Sequence, residues 1–189
     1  ARVLHPKTIL PAMKKNIPVK VLNSFNPKEK GTIIVNKPYK NSNAVKAIAY
    51  KKNITLINID STRMLGAYGF LARVFDIFDE YKKSIDVVST SEVSVSLTID
   101  SEENISRIVR ELKEIADIEI KKGKAIICIV GEGMRHTPGT AGRTFTALGN
   151  NRINIEMISQ GASEINITFI VDGKDAEKAV RALHEEYYG

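Results

Sequence analysis

The chain has 189 residues, 43% hydrophobic and 26% charged, a balance typical of soluble globular proteins with one ordinary domain or two small ones. No apolar run approaches the roughly 18 residues that cross a bilayer, no secretory leader is visible, and a single cysteine, Cys128, excludes an internal disulfide framework. The net charge of +6 comes from 28 Lys and Arg scattered among 22 acids, which reads as a solvated surface and not as a nucleic-acid footprint.

In chain order, residues 6–16 suit a helix, 18–22 a strand, 23–30 a turn and 31–35 a second strand. About 43 residues cannot bury an independent core, so residues 1–43 are expected to complete a domain that continues elsewhere. The absence of an initiator Met at Ala1 fits a piece of a longer chain. Residues 44–50 are strand-like, and the β-branched run at 54–59 is a strand. Gly69 opens a helix whose Phe70, Leu71, Val74, Phe75 and Phe78 recur at helical spacing. Residues 85–89 form the next strand. In 93–99, Val93, Val95, Leu97 and Ile99 alternate with polar residues, giving a strand with one buried face. A helix is expected over about 102–116, then a closing strand at Ile118 and Ile120. Beyond it the spacing predicts a strand at 125–130, a helix at 139–149, strands at 153–159 and 164–171, and a helix at 175–187.

The second half repeats the first. Met64-Leu-Gly-Ala-Tyr-Gly69-Phe-Leu-Ala-Arg73-Val-Phe75, shifted by about 70 positions, falls on Met134-Arg-His-Thr-Pro-Gly139-Thr-Ala-Gly-Arg143-Thr-Phe145. Ile85-Asp86 falls on Ile155-Glu156, and Ser91-Glu92 through Asp100 matches Ser163-Glu164 through Asp172. Each unit is βαββαβ, an α+β, ferredoxin-like layer of helices on an antiparallel sheet. The second copy lacks its fourth strand, and residues 44–50 are expected to fill that gap. The first module, 53–122, would then sit inserted within a discontinuous second module, 44–52 and 123–189.

Catalytic and metal signatures are sparse. His5, His136 and His184 have no ligand partner at short spacing, which excludes a zinc pattern. Gly131-Glu-Gly133 lacks the third glycine of a dinucleotide fingerprint, and Gly139-Thr-Ala-Gly142-Arg143-Thr144 lacks the phosphate-loop lysine. The strand-to-helix turn of each copy is more informative. Its small residues precede a helix whose free N–H groups suit a carboxylate, and Asp86 on the following strand could receive an ammonium group. Together they would hold a zwitterionic amino acid. Equally, Gly69 could serve close packing alone, with Asp86 merely solvated.

The Met64–Phe75 stretch, with Ile85-Asp-Val-Val-Ser-Thr-Ser-Glu-Val-Ser-Val-Ser-Leu-Thr98, resembles the first regulatory ACT domain of aspartate kinases. Met157-Ile-Ser-Gln-Gly-Ala-Ser-Glu-Ile-Asn-Ile167 resembles the second. Val3-Leu-His-Pro6, Ile17-Pro-Val19, Phe25-Asn-Pro27 and Gly31-Thr-Ile33 are similar to the end of that family's kinase domain. The resemblance implies tandem ACT domains in a feedback-regulated enzyme that phosphorylates the aspartate β-carboxylate, on the way to lysine, threonine and methionine. It implies ATP and magnesium in the parent enzyme, no cofactor and no catalytic residue in this chain, a cytoplasmic or plastid location, and a homodimer built through the ACT domains.

It further implies an effector, lysine or threonine, against Met64, Ala67, Tyr68, Gly69, Phe70 and Leu71. Ile85, Asp86, Thr90, Ser91 and Glu92 would face it. Ala67 stands where some relatives carry serine. Gln160 and Asn166 resemble a pair that some members use to hold threonine, or else serve an interface. A purely structural dimerisation module is the alternative. RNA binding is disfavoured because 93–99 carries no aromatic and 164–171 only Phe169.

Overall fold

The computed structural model describes residues 4–36, 44–66 and 68–189, which fall into two compact units, Ala1–Asn41 and Ser42–Gly189. In the first unit, helix α1 (Pro6–Lys14) begins with the His5 imidazole accepting from the Lys7 N–H. Strands β1 (Val19–Val21) and β2 (Thr32–Ile34) form an antiparallel pair. Phe25, Leu10, Ile17 and Ile33 of this small unit remain exposed.

The second unit is built on two long antiparallel strands, β3 (Ala47–Asp60) and β6 (Asp117–Val130). Between them in sequence lie helix α2 (Phe70–Glu80), β4 (Val87–Thr90), β5 (Ser94–Ile99) and helix α3 (Ile105–Leu112). After β6 come α4 (Thr140–Asn150), β7 (Met157–Ser159), β8 (Asn166–Asp172) and α5 (Ala176–Tyr188). All six strands make one antiparallel sheet in the order β4-β5-β3-β6-β8-β7.

The order contains two overlapping ferredoxin-like quartets. Residues 55–60 of β3 pair with β5 on one side and with residues 117–121 of β6 on the other. Residues 47–51 of β3 pair with 126–130 of β6, whose far edge carries β8. Each long strand therefore serves both quartets. Where the quartets meet, the register shifts between Lys51 and Leu56, Asn53 adopts φ 61°, and Gly123 opposite adopts φ 67°. Such irregularities bend a strand and change which face its side chains take.

Apolar alternation then places one core under each helix pair. Ile57, Ile59, Val95, Leu97 and Ile99 pack on Val74 and Phe78 of α2 and on Ile108 and Leu112 of α3. Ile127, Ile129, Ile167 and Phe169 pack on Leu148 of α4 and on Ala179 and Leu183 of α5. A third cluster, Ile54, Leu56, Ile126, Met157 and Ile170, uses the opposite face, with Val87 against it. There the sheet curls until its outer edges meet, and the Ser159 hydroxyl donates to the Val88 carbonyl at 3.2 Å. The contact covers strand edges that would otherwise invite foreign pairing.

Four elements differ from the sequence expectation. The strands expected at 44–50 and 54–59 are one strand, β3, which keeps its pairing with β6 across the bend. The strands expected at Ile118–Ile120 and at 125–130 are one bent strand, because the polar run Lys121-Lys122-Gly123-Lys124 stays in the ladder. Helix α3 is shorter than 102–116, since Asn104 enters it at φ 60° and residues 113–115 close as turns. The strand expected over 153–159 is paired only at Met157–Ser159, while Ile153 is buried in the core as irregular chain.

Candidate functional site

In the first module, β3 ends in a short helical turn (Thr62–Met64), and Gly69 then leads into α2 at φ 79°. A Cβ at Gly69 would meet nothing within 4 Å, so the left-handed backbone, not space, favours glycine here. No side chain caps α2, which leaves its first N–H groups free for a carboxylate. The hairpin joining β4 to β5 lies at the same end of the sheet, since Ser61 N–H donates to the Val93 carbonyl at 2.8 Å. Met64, Tyr68, Gly69, Phe70 and Leu71 are thus brought to one end with Thr90, Ser91 and Glu92. Ser91 is already engaged: its hydroxyl accepts from Ser94 N–H and pairs with the Ser94 hydroxyl. Ala67 lies outside the described residues.

Ile85 and Asp86 are not part of this group. Asp86 N–H donates to the Thr98 carbonyl, at the opposite end of β5 from the hairpin. Four residues of strand separate Asp86 from Thr90, about 13 Å at roughly 3.3 Å per residue. One amino-acid ligand cannot touch the α2 turn and Asp86 of the same chain.

The Asp86 carboxylate faces an internal cation instead. Lys51, at the bend of β3, lies 3.1 Å from Asp86 and 2.7 Å from Asp100 at the end of β5. The hydrogen bond from Lys51 is the largest cause holding the Asp100 carboxyl below its ordinary value, and the same bond raises Lys51. The second module repeats the arrangement: Lys124, at the bend of β6, lies 2.6 Å from Glu156 and 3.3 Å from Asp172. Its pKa is raised, first by the hydrogen bond to Glu156. Sequence reasoning did not assign Lys51, Asp100, Lys124, Glu156 or Asp172. The signal was present, because Asp86 with Asp100 matches Glu156 with Asp172 in the repeat.

At the helix-leading turn of the second module lies a cavity of about 570 Å³. Its wall includes Met134, Thr137, Gly139, Thr140 and Ala141, the counterparts of Met64, Ala67, Gly69, Phe70 and Leu71. Thr140 and Ala141 are smaller than Phe70 and Leu71, which leaves the space open. Gln160 and Glu164 close the other side. Asn166, opposite Val130 at the start of β8, is not part of that wall. The loops on either side are tied together: His136 N–H donates to the Glu164 carboxylate at 2.8 Å, and the Arg135 Nε donates to the Ser163 carbonyl.

Among the described residues no group of three or more His, Cys, Asp or Glu is placed to hold a metal ion. No described helix is long and apolar enough to cross a membrane. Cys128 is half-buried, its sulfur accepting from the Thr168 hydroxyl.

Residues 127–187 match the family model of the ACT domain. The chain is 44% identical to aspartokinase 1, chloroplastic, of Arabidopsis thaliana, over all of this chain and 34% of that protein. It therefore spans about a third of the length of that relative. A C-terminal regulatory domain of aspartate kinase from Porphyromonas gingivalis is 38% identical with a TM-score of 0.68, matching 77% of this chain and 99% of that one. Escherichia coli aspartokinase III, solved in complex with lysine and aspartate in its T-state, is 37% identical with a TM-score of 0.84, over 99% of this chain and 42% of that one.

Proposed function

The chain belongs to the aspartate kinase family, as its regulatory part, and we propose that it binds an end-product amino acid and restrains an attached kinase. The kinase would phosphorylate aspartate with ATP, and ATP and magnesium would be bound by its catalytic part. Residues 1–43 would finish that catalytic domain, and the exposed Phe25, Leu10, Ile17 and Ile33 suit a surface covered by more of it. Residues 53–122 would be the first ACT module, inserted in a second made of 44–52 and 123–189. The effector is lysine or threonine, and it must bind the inactive state better than the active one.

The observation that carries this reading is the repeated, uncapped helix start behind a glycine-led turn, built to receive a carboxylate in both copies. Lysine would add its side-chain ammonium, for which Asp86 is the candidate acceptor. Because the α2 turn and Asp86 lie at opposite ends of one module, a complete lysine site calls for a second copy of the chain to supply the missing end. A homodimer paired through the ACT modules meets that requirement. Threonine would instead suit the second-module cavity beside Gln160, with Asn166 outside its wall.

A second reading is a structural dimerisation module without ligand, favoured by Leu65, Tyr68, Leu71, Phe75 and Val93, all exposed around the first turn. Calorimetric titration with L-lysine and L-threonine, with oligomeric state measured alongside, separates the readings. Lysine binding that is lost in Asp86→Ala supports the lysine site. Threonine binding moves the effector to the second module. A dimer that binds neither leaves the structural reading.

A further inference from the structure

Each module carries one lysine at the bend of a shared strand, seated on two carboxylates at matched positions. The two seats differ in their access to water. In the second module the side chains of Lys124 and Glu156 keep only 13% and 14% of their accessible surface, while Asp172 keeps 38%. In the first, Lys51, Asp86 and Asp100 keep 48%, 28% and 43%. A cation from solution can compete where water already reaches, whereas a sealed pair resists exchange because an opened partner would be left dry and unpaired.

Lys51 also occupies a mechanical position. It is the last paired residue of β3 before the register shift, opposite Ile126. Its neighbour Lys52 reaches the other way, to Glu177 of α5 at 2.7 Å. Consecutive lysines therefore tie the bend to both modules, Lys51 to the first and Lys52 to the second. On β6, Lys122 reaches Glu102 of the first module and Lys124 reaches the second. Each module's glycine-led turn lies at an outer end of the β3–β6 ribbon, so the bend separates the two turns.

We infer that Lys51 is an internal ammonium that holds the Asp86–Asp100 seat until an ammonium-bearing effector displaces it, and that its release loosens the bend joining the modules. The inference rests on the reading that Asp86 receives the effector's ammonium. The competing ligand is a primary ammonium on a flexible chain, the chemistry of Lys51 itself, so a free lysine side chain can replace it group for group. The largely covered Lys124–Glu156 pair stays closed and serves as the fixed side of the hinge.

The test compares L-lysine with L-norleucine, which lacks the side-chain ammonium, on the full chain and on Lys51→Gln and Asp86→Asn, each first checked for an unchanged melting profile. Lys51→Ala replaces Lys51→Gln if the latter fails that check. Lys51→Gln is expected to tighten lysine binding roughly two- to fivefold, the worth of one exposed ion pair, and to leave norleucine unchanged. Hydrogen exchange at residues 51–54 should rise when lysine binds the unsubstituted chain, and should already be high in Lys51→Gln. Unchanged or weaker lysine binding by Lys51→Gln overturns the inference alone, provided Asp86→Asn erases the preference for lysine over norleucine. If Asp86→Asn keeps that preference, the Asp86 reading fails and the inference with it. Lysine that binds none of the proteins overturns it too.

Discussion

At its helix-leading turn the first module carries bulky, exposed side chains and its bend is open to water; the second carries small side chains at the turn, and the lysine at its bend is largely covered. At the turns, Phe70 and Leu71 stand where Thr140 and Ala141 leave a cavity of about 570 Å³. At the bends, Lys51 lies half in water where Lys124 keeps 13% of its surface. Duplicated backbone thus carries different surfaces, because side-chain volume and burial differ between the copies while the positions of the charges are matched. The shared strands make the two ends one mechanical object.

The largest effect tests that sharing. Phe78 is buried under α2, and Phe78→Ala should cost about 3–5 kcal/mol through lost burial and the cavity left behind. Because β3 and β6 run through both quartets, the loss should lower the stability of α5 as much as that of α2. Urea unfolding followed by hydrogen exchange checks this. A first module that melts early while the amides of α5 stay protected would break the shared-strand account.

Next comes the contrast between the lysines. Lys124→Met leaves Glu156 largely buried beside only a distant Lys121, 4.0 Å away, and should cost about 2–4 kcal/mol. Lys51→Met, in a triad open to water, should cost less than about 1 kcal/mol. Equal costs in urea denaturation would erase the distinction between a sealed pin and an open seat.

Much of this architecture was legible in the sequence. The repeat offset, the helices opened by Gly69 and Gly139, and the alternation that buries Val95, Leu97 and Ile99 all follow from local pattern. The fusion of two strands into β6 was not, because four polar residues around Gly123 look like a break and only tertiary pairing keeps them in the ladder. The separation of Asp86 from the turn is hidden in the sequence for a related reason. Residues close in sequence along one strand, such as Asp86 and Thr90, lie at its opposite ends, and only the pairing with β5 shows it. The charge triads were half legible: the acids repeat at nearly constant offset, but their lysines sit at the irregular bend, where the offset fails.

A smaller effect is expected at the second turn. Glu164→Ala removes the acceptor of the His136 N–H and should cost about 1 kcal/mol. Its sharper consequence is local, a rise in exchange at His136 and Thr137 with the wall of the cavity loosened. If those amides keep their protection, Arg135 and Ser163 alone hold the loops together.

The smallest effect separates the modules by pH. Lys124 has its pKa raised in the folded chain, so its stabilisation is complete below the ordinary 10.5 and is lost as pH climbs through the higher folded value. Asp100 is held low, chiefly by Lys51, so its stabilisation is present above 3.8 and is lost as pH falls through the lower folded value. Its counterpart Asp172 is lowered first by the backbone N–H of Lys174 and only then by Lys124. Lys51 is raised in the same way as Lys124, so both Lys51→Met and Lys124→Met should flatten the alkaline side of a stability–pH curve, whereas Lys51→Met should also flatten the acid side and Lys124→Met leave most of it in place. Urea midpoints measured across both limits would reveal the asymmetry. Matching curves for the two variants would mean that the triads share their charges across the bend, through Lys121 and Glu156, and act as one network.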